Sequence, residues 1–442
     1  MLTRNKPLIF GAIADDYTGG SDLAGMLSER GVRTVQVLGP QPDSFVAGLE
    51  GCEALVISLK SRSLPAPEAC ALSLQALRQL QQLGARQIQF KYCSTFDSTA
   101  GGNIGPVTQA LMAALGIDFT VAVPALPVNG RTQYLGHLFV ASQLLSESSM
   151  RYHPLTPMTD SNLVRHLQSQ TSKRVGLLSY PVVKAGAESV QAEIVQLKAV
   201  GISIALVDAI CEEDLETIAE AIVELPFITG GSGVAGKLPL AWARRGWFQP
   251  QPQSQRGEEG TAAPVLILSG SCSAATLEQL RHLQEAGCPI LPLPAVSLLT
   301  QGSASVVAGL AREAQETLGR EGWVAISSSS PPAEIEALLQ AAQESGCPPA
   351  QLAAQIEEAL GILAHRMVED KLVQRIIVAG GETSGAVMQA LKIQALEIGE
   401  IIDPGVPRVR SVGDRSLRLA LKSGNFGSPQ FFVKAVEALR RS

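Results

Sequence analysis

Aromatic side chains are scarce in this chain. Phe, Trp and Tyr together supply 4% of it, so any hydrophobic core has to be aliphatic. Charge is scarce too: Asp, Glu, Lys and Arg supply 17%, against roughly 25% in ordinary soluble domains. What charge there is leans acidic, with a formal net charge of -6. That excludes a general affinity for nucleic acid or for an anionic membrane surface, so any anion must be held in a local pocket. No run of about 18 uncharged apolar residues occurs, and no membrane span is expected. The short apolar run near the N-terminus stops at Asp15 without a cleavage-type pattern behind it, so no signal peptide is expected either. The seven cysteines are scattered, odd in number and form no C-x-x-C pair. This argues against a disulfide frame or a zinc site and for reduced thiols in a cytoplasm. His137, His153, His166, His282 and His365 include no H-x-x-x-H pair and fit no metal pattern, and the metal ligands, if any, stay unknown. No G-x-S-x-G elbow supports a hydrolase. Cys93 and Cys272 have no neighbouring His to act as a base, so thiol catalysis is not expected.

What is abundant is small and aliphatic: 46% of residues are apolar, and there are 41 Gly and 26 Pro. Two domains are the natural expectation for 442 residues. From residue 7 to about 248, strand-like and helix-like segments alternate. Strands are expected at 7–14, 33–38, 54–59, 87–91, 119–124, 175–178 and 203–207. Helices are expected at 68–83, 106–115, 161–168 and 188–199. A polar Gln/Pro/Gly stretch without periodicity, 249–262, reads as a linker. The pattern then restarts with a buried strand at 264–269 and a helix at 275–286, and runs to residue 442. The fold class expected is two-domain α/β, 1–248 and 263–442, each a mostly parallel sheet with helices on both faces. No short internal repeat is present.

The first strand runs into Asp15-Asp16-Tyr17-Thr18-Gly19-Gly20-Ser21-Asp22: two carboxylates, a Thr-Gly-Gly turn and a helix start. In an open parallel sheet, ligands bind outside the carboxyl ends of the strands, where Asp15 and Asp16 sit. Successive side chains alternate across a strand, so one of the two points into a given cleft. There it could accept a hydrogen bond, or a proton, from a substrate hydroxyl. The alternative is that Asp15 or Asp16 caps the helix and faces water. Further polar clusters follow other strands: Leu59-Lys60-Ser61-Arg62-Ser63, the segment 91–99, the segment 124–131 with Asn129-Gly130-Arg131, and the segment 154–160. They should gather at one sheet edge. Arg62, Lys91 and Arg131 supply cations there, and Asp97, Asn129 and several hydroxyls supply hydroxyl-reading groups. The set suits a small, polar, anionic ligand such as a sugar acid.

The second half holds three glycine-rich turns: Ser269-Gly270-Ser271-Cys272-Ser273, Gly380-Gly381-Glu382-Thr383-Ser384-Gly385 and Lys422-Ser423-Gly424-Asn425-Phe426-Gly427. Small residues let the backbone approach a phosphate, and helix N-termini aim N–H groups at it. One such turn would be a tight connection; three in one domain favour nucleotide binding. Gly231-Ser232-Gly233-Val234-Ala235-Gly236-Lys237 imitates a P-loop, but Leu238 stands where a hydroxyl is required, and a plain glycine turn is the better reading.

These same motifs resemble the four-carbon acid sugar kinase family over nearly the whole chain. The resemblance is carried by Ile13-Ala14-Asp15-Asp16-Tyr17-Thr18-Gly19 and by the turns at 380–385 and 421–427. It extends through Ile57-Ser58-Leu59-Lys60-Ser61-Arg62-Ser63, Asn103-Ile104-Gly105-Pro106-Val107, and the segments 90–99, 124–132 and 153–162. Tyr17 and Gly20 stand where the family more often has Phe or Leu, and Ala. The resemblance implies an N-terminal acid-sugar domain, a C-terminal nucleotide domain and an active site between them. It implies ATP held at Ser271, at Gly381, Glu382, Thr383 and Ser384, and at Gly424, with Mg²⁺ on the phosphates. The implied reaction moves the γ-phosphoryl of ATP to the C4 hydroxyl of a four-carbon acid, a 3-oxo-tetronate in the subgroup whose stretches are shared. On this reading Arg62 and Lys91 hold the acid's carboxylate, and Asp16 orients or deprotonates the hydroxyl. Asp15, Asp97, Asn129 and Arg131 complete the substrate site. The partners expected are the sugar acid and ATP, with no nucleic acid and no membrane; a homo-oligomer is left open. A kinase for D-threonate or D-erythronate, and a non-catalytic nucleotide- and ligand-sensing protein, stand as rivals.

Overall fold

The computed structural model describes residues 7–42, 45, 49, 51–152, 156–250, 263–329, 332–413, 416–422, 424 and 426–441. The chain divides into two compact units, Met1–Pro252 and Gln253–Ser442. Most of the expected linker, together with His153, Ser423 and Asn425, falls outside the described residues.

In the first unit, eight strands form a wholly parallel sheet. In chain order they are β1 (Phe10–Ala14), β2 (Thr34–Leu38), β3 (Ala54–Ser58), β4 (Gln87–Lys91), β5 (Thr120–Val123), then β9 (Val175–Leu178), β10 (Ile204–Val207) and β11 (Phe227–Gly230). Between them lies a small antiparallel sheet of β6 (Arg131–Tyr134), β7 (His137–Val140) and β8 (Gln143–Leu144). The spatial order of the large sheet is β2-β3-β1-β4-β11-β5-β10-β9. Strands buried on both faces read as continuous apolar runs, which is why Phe-Gly-Ala-Ile-Ala and Ala-Leu-Val-Ile-Ser were legible as strands. The register puts Ala14 level with Ser58 and Lys91, and Lys91 level with Gly230. The segments that follow β1, β3, β4, β5 and β11 therefore leave from one edge. Chain order also reverses around β1: β2 and β3 lie on one side of it and β4 on the other. This is a topological switch point, where open α/β sheets bind ligands.

Two local expectations need correction. The helix after β1 spans Tyr17–Glu29, so Thr18-Gly19-Gly20 is its first turn and not a loop. The small antiparallel sheet and β11 were not read from the sequence. The β6–β7 hairpin turns through Leu135 (φ 47°) and Gly136 (φ 75°), the positive-φ pair of a type I′ turn. Leu135 is tolerated there because the fully buried Asp208 accepts from both turn N–H groups, at 2.7 and 2.9 Å.

The second unit contains β12 (Val265–Ser269), β13 (Ile290–Pro292), β14 (Trp323–Ser327), β15 (Arg375–Ala379), β16 (Ala395–Asp403), β17 (Val406–Val412) and β18 (Arg418–Lys422). Their order is β13-β14-β12-β15-β18-β17-β16. All neighbours are parallel except β17, which runs antiparallel to β16 and β18. Here the ends of β12, β15 and β18 are level: Ser269 pairs with Ala379, and Ala379 with Lys422. A core of Val265, Ile267, Ile377, Ala420, Phe431 and Phe432 packs the helix Phe431–Arg440 against the sheet.

Gly230 ends β11 with φ 143°, and a Cβ there would overlap the carbonyl of Val123. Gly230→Ala should lower unfolding free energy by about 2–5 kcal/mol, strain and overpacking combined. A urea unfolding curve that superimposes on that of the parent protein would contradict this.

Candidate active site: an ion cluster and a hydroxyl cradle

The first cluster starts from Asp15, which is 3% exposed at the end of β1. A carboxylate cannot be buried charged without partners. Arg62 provides them: its Nε and Nη2 reach the two Asp15 oxygens at 2.9 and 2.8 Å, a bidentate grip. Nη2 also donates to Asp16 Oδ1 at 2.8 Å, and Nη1 lies 3.8 Å from Asp97 Oδ2. Arg62 is held in turn by its backbone. Its N–H and that of Ser61 bond to the Asp15 carbonyl, and the Asn103 amide clamps the carbonyls of Ser61, Arg62 and Leu64.

Asp16 is the N-cap of the helix Tyr17–Glu29. Its Oδ1 accepts from Gly19 N at 3.0 Å and its Oδ2 from Thr18 Oγ1 at 2.7 Å. The capping role and exposure to ligand coexist, since the side chain is 25% exposed. Burial works to raise its pKa, but Arg62, Lys91 and the Thr18 and Gly19 bonds outweigh it and hold Asp16 below the usual carboxylate range. Burial pushes Asp15 up, against Arg62. The two acids at one strand end are thus separated in character: Asp15 is structural and Asp16 is an ionised acceptor.

Lys91 ends β4, nine-tenths and more buried, and donates to the Tyr92 carbonyl at 3.0 Å. A Cβ on Gly19 would overlap the Asp16 carboxylate and come within 2.9 Å of the Lys91 Nζ, so glycine in the first helical turn makes room for both. Asp97 lies in a strained segment, with Phe96 at φ 68° and Asp97 at φ 35°. Such backbone costs about 1–3 kcal/mol per residue and is held here by the Thr95 Oγ1 bond to Asp97 Oδ1 at 2.6 Å. Cys93, beside them, is pushed up to about 12 by burial and is not a nucleophile.

The structure adds Asp22 to this group. It is buried, accepts from Ser232 Oγ, and feels the charges of Lys91 and Arg131. Ser232 belongs to the P-loop look-alike, whose Lys237 is spent on Glu212 and Glu216 at 3.0 and 3.4 Å. Asp22 could have been found as the i+6 residue from Asp16, on the helix that Asp16 caps; Ser232 carried no local signal. Arg131 donates through Nη1 to the Asn129 carbonyl at 2.6 Å, while its buried Nε has no hydrogen-bond partner among the described residues. Asn129 thus enters through its backbone. Asp15, Asp16, Arg62 and Asp97 are brought together directly, and Lys91, Asp22 and Arg131 through their fields.

In the second unit the three turns converge. Ser273 caps the helix Ala274–Glu285, accepting from Thr276 N. Its hydroxyl and that of Thr276 both reach the Gly424 carbonyl, at 2.7 and 2.9 Å. Thr276 Oγ1 also reaches Ser271 Oγ at 3.1 Å. A Cβ on Gly424 would overlap Ser271 Oγ, so the approach demands glycine. The helix after β15 spans Gly381–Ala390, so the glycine-rich turn read from the sequence at 380–385 is mostly helical. Gly381, Glu382, Thr383 and Ser384 are its first turn, at the positive end of the dipole, with the Ser384 N–H closing the turn onto the Gly380 carbonyl. Thr383 and Ser384 are buried, and Glu382 is exposed. Two helix N-termini and a hydroxyl cluster make a donor-rich cradle, and this chemistry fits the phosphates of a nucleotide. Among the described residues no group of three or more His, Cys, Asp or Glu is placed to hold a metal ion.

Arg62→Met would strand three carboxylates. Breaking a buried pair from one side costs about 3–5 kcal/mol, so the unfolding midpoint in urea should fall markedly. An unchanged midpoint would show that Asp15 does not depend on Arg62.

Residues 10–238 match a domain family described as a sugar-binding N-terminal domain, and residues 266–432 one described as a nucleotide-binding C-terminal domain. The 3-oxo-tetronate kinase of Pseudomonas fluorescens (strain Pf-5) is 47% identical over 440 residues, covering 99% of this chain and 98% of that protein. That of Cupriavidus necator is 46% identical over 437 residues, covering 98% of each. A crystal structure from Salmonella typhimurium LT2, described provisionally as a tRNA synthase, superposes with a TM-score of 0.85 at 40% identity, covering 97% of this chain and 99% of that one. The chain belongs to the 3-oxo-tetronate kinase family, within the four-carbon acid sugar kinases that its motifs resemble, and is a phosphotransferase.

Proposed function

We propose that this protein uses ATP to phosphorylate the C4 hydroxyl of a 3-oxo-tetronate. The observation that carries the reading is identity of 43–47% with proteins of that one activity, from end to end of the chain. The donor-rich cradle of the second unit and the cation–carboxylate cluster of the first are the chemistry such a reaction needs. The Salmonella description has no counterpart here, since a net charge of -6 does not suit an RNA-binding surface.

In this reading the first unit takes the acid. Lys91, Arg131 and the outer edge of Arg62 attract its carboxylate. Asp16, ionised and partly exposed, accepts the hydrogen bond of the C4 hydroxyl and aims the oxygen. Asp15 and Asp97 keep Arg62 in place, and Asn129 positions Arg131. The second unit takes ATP at Ser271, at Gly381 to Ser384 and at Gly424. Mg²⁺ would ride on the phosphates, with Glu382 as the carboxylate nearest in sequence to that cradle, and would neutralise charge on the β- and γ-phosphates. Among the described residues no cysteine forms a disulfide, which suits a reducing cytoplasm.

ADP release from ATP should be measured over a panel of both 3-oxo-tetronate enantiomers, D-threonate, L-threonate and D-erythronate. Turnover is expected on a 3-oxo acid alone. Turnover only on a reduced acid would move the substrate, and ATP binding without any turnover would favour a sensor. Asp16→Asn keeps a good N-cap but loses the charge. It should leave ATP affinity unchanged and cut kcat by about a hundredfold or more. A normal kcat in that variant would remove Asp16 from the reaction.

A further inference from the structure

Asp22 stands outside the chemistry proposed for Asp16, Arg62, Lys91 and Arg131, yet it faces the same strand ends. It lies three residues after Gly19, on the same face of the helix Tyr17–Glu29. On that face Gly19 meets Lys91 at the end of β4, and Asp22 meets Ser232 just past the end of β11. β4 and β11 are neighbours in the sheet, with Lys91 level with Gly230. Asp22 and Ser232 are both buried. The Asp22 Oδ2 accepts from Ser232 Oγ, while its Oδ1 has no hydrogen-bond partner among the described residues. The glycines on either side of Ser232 pack on the Pro124 and Ala125 carbonyls, so the anchor of this carboxylate is itself fixed. Lys91 and Arg131 attract Asp22 through their fields, but among the described residues neither forms an ion pair with it. Burial pushes the Asp22 pKa up, against Lys91 and the Ser232 bond, so a further donor on Oδ1 would be a stabilising partner.

We infer that Asp22, anchored by Ser232, receives the C2 hydroxyl of the acid and is a specificity-determining residue for the substrate. The inference rests on the 3-oxo-tetronate reading and adds to it which group of that molecule is recognised, and by which side chain. A 3-oxo-tetronate carries a C1 carboxylate, a C2 hydroxyl, a C3 carbonyl and the C4 hydroxyl that reacts. Its two hydroxyls each need an acceptor. Asp15 is gripped on both oxygens by Arg62, and Asp97 lies between Thr95 and Arg62, which leaves Asp16 and Asp22. Position divides these two. Asp16 is partly exposed and its nearest cation is Arg62, which suits a hydroxyl that must meet a second substrate. Asp22 is buried, and its cations are Lys91 and Arg131, the pair that attracts the C1 carboxylate on this reading. C2 is bonded to C1, so the acceptor for its hydroxyl belongs beside those cations. A buried carboxylate in that place discriminates, because a ligand without the hydroxyl leaves it short of a donor.

The test pairs a change in the protein with a change in the ligand. With ATP as donor, kcat/KM is measured for the full-length protein on the preferred 3-oxo-tetronate and on its 2-deoxy analogue, 4-hydroxy-3-oxobutanoate. The analogue keeps the carboxylate, the carbonyl and the reacting hydroxyl. The parent protein should favour the hydroxylated acid by about thirtyfold or more. Asp22→Ala should lose activity on the hydroxylated acid and little on the analogue, bringing the two within about threefold of each other. Ser232→Ala, which frees the anchored carboxylate, should show a smaller fall in the same preference. A merely structural acid would lower both substrates alike and keep the preference, and that result overturns the inference. So does a parent protein that turns over both acids equally well. If Asp22→Ala does not give a cooperative melt, Ser232→Ala decides: an unchanged preference overturns the proposal. A parent protein with no turnover on either acid would sink the substrate reading itself, a failure distinct from the others.

Discussion

One guanidinium decides whether the end of β1 can exist. Asp15 is buried, and its neighbour Asp16 begins a helix; two carboxylates so placed repel each other and resist burial. Arg62 lies across both and reaches toward a third, Asp97. Its position is fixed from behind by Asn103 and by the Asp15 carbonyl, so the cation is not recruited from solution but is built into the edge of the sheet. Three of its five N–H donors are taken by Asp15 and Asp16. On the proposed reading, capture of a substrate carboxylate is therefore shared with Lys91 and Arg131, whose buried Nε has no partner among the described residues.

The two units solve opposite electrostatic problems. In the first, cations and carboxylates are interleaved, so a ligand carrying both a carboxylate and hydroxyls finds partners for each. In the second, hydroxyls and helix N-termini gather at the strand ends, and Glu382 at the exposed first helical turn is the only acid among the residues of the three turns. A polyanion is the ligand that such a surplus of donors favours. Neither arrangement needs a P-loop, and the look-alike at 231–237 supplies Ser232 to Asp22 while its lysine pairs with glutamates.

Most of the parallel strands were legible because doubly buried strands are continuous apolar runs; apart from the start of β1, three residues later than expected, the ends of the strands read from the sequence fell within one residue of the observed ones, and β11 was missed. The gathering of polar clusters at one edge followed from the same period. Helix starts rich in glycine were not legible: Thr18-Gly19-Gly20 and Gly381 to Gly385 have turn composition yet are helical. Gly19 is required there first by the Asp16 carboxylate that caps the helix, which a Cβ would overlap, and then by the Lys91 ammonium, a neighbour that local propensity cannot register. The same limit hid Ser232 behind Asp22. Which partner a side chain meets depends on strand order, and strand order is not a local property.

The lowered pKa of Asp16 bears on how the reaction can work. A group held below the usual carboxylate range is a weak base, and both of its oxygens already accept hydrogen bonds. If phosphoryl transfer required the acceptor hydroxyl to lose its proton early, this would be the wrong residue. In a loose transition state the attacking oxygen carries little negative charge until late, and positioning outweighs basicity. An ionised, rigid acceptor that stays charged across the physiological range suits that demand better than a base poised near neutrality. Its rigidity comes from the helix it caps, and its charge from the Arg62 that Asp15 holds in place. On the proposed reading, Asp15, which takes no direct part in the chemistry, thus keeps Asp16 ionised and aimed by holding Arg62 against it.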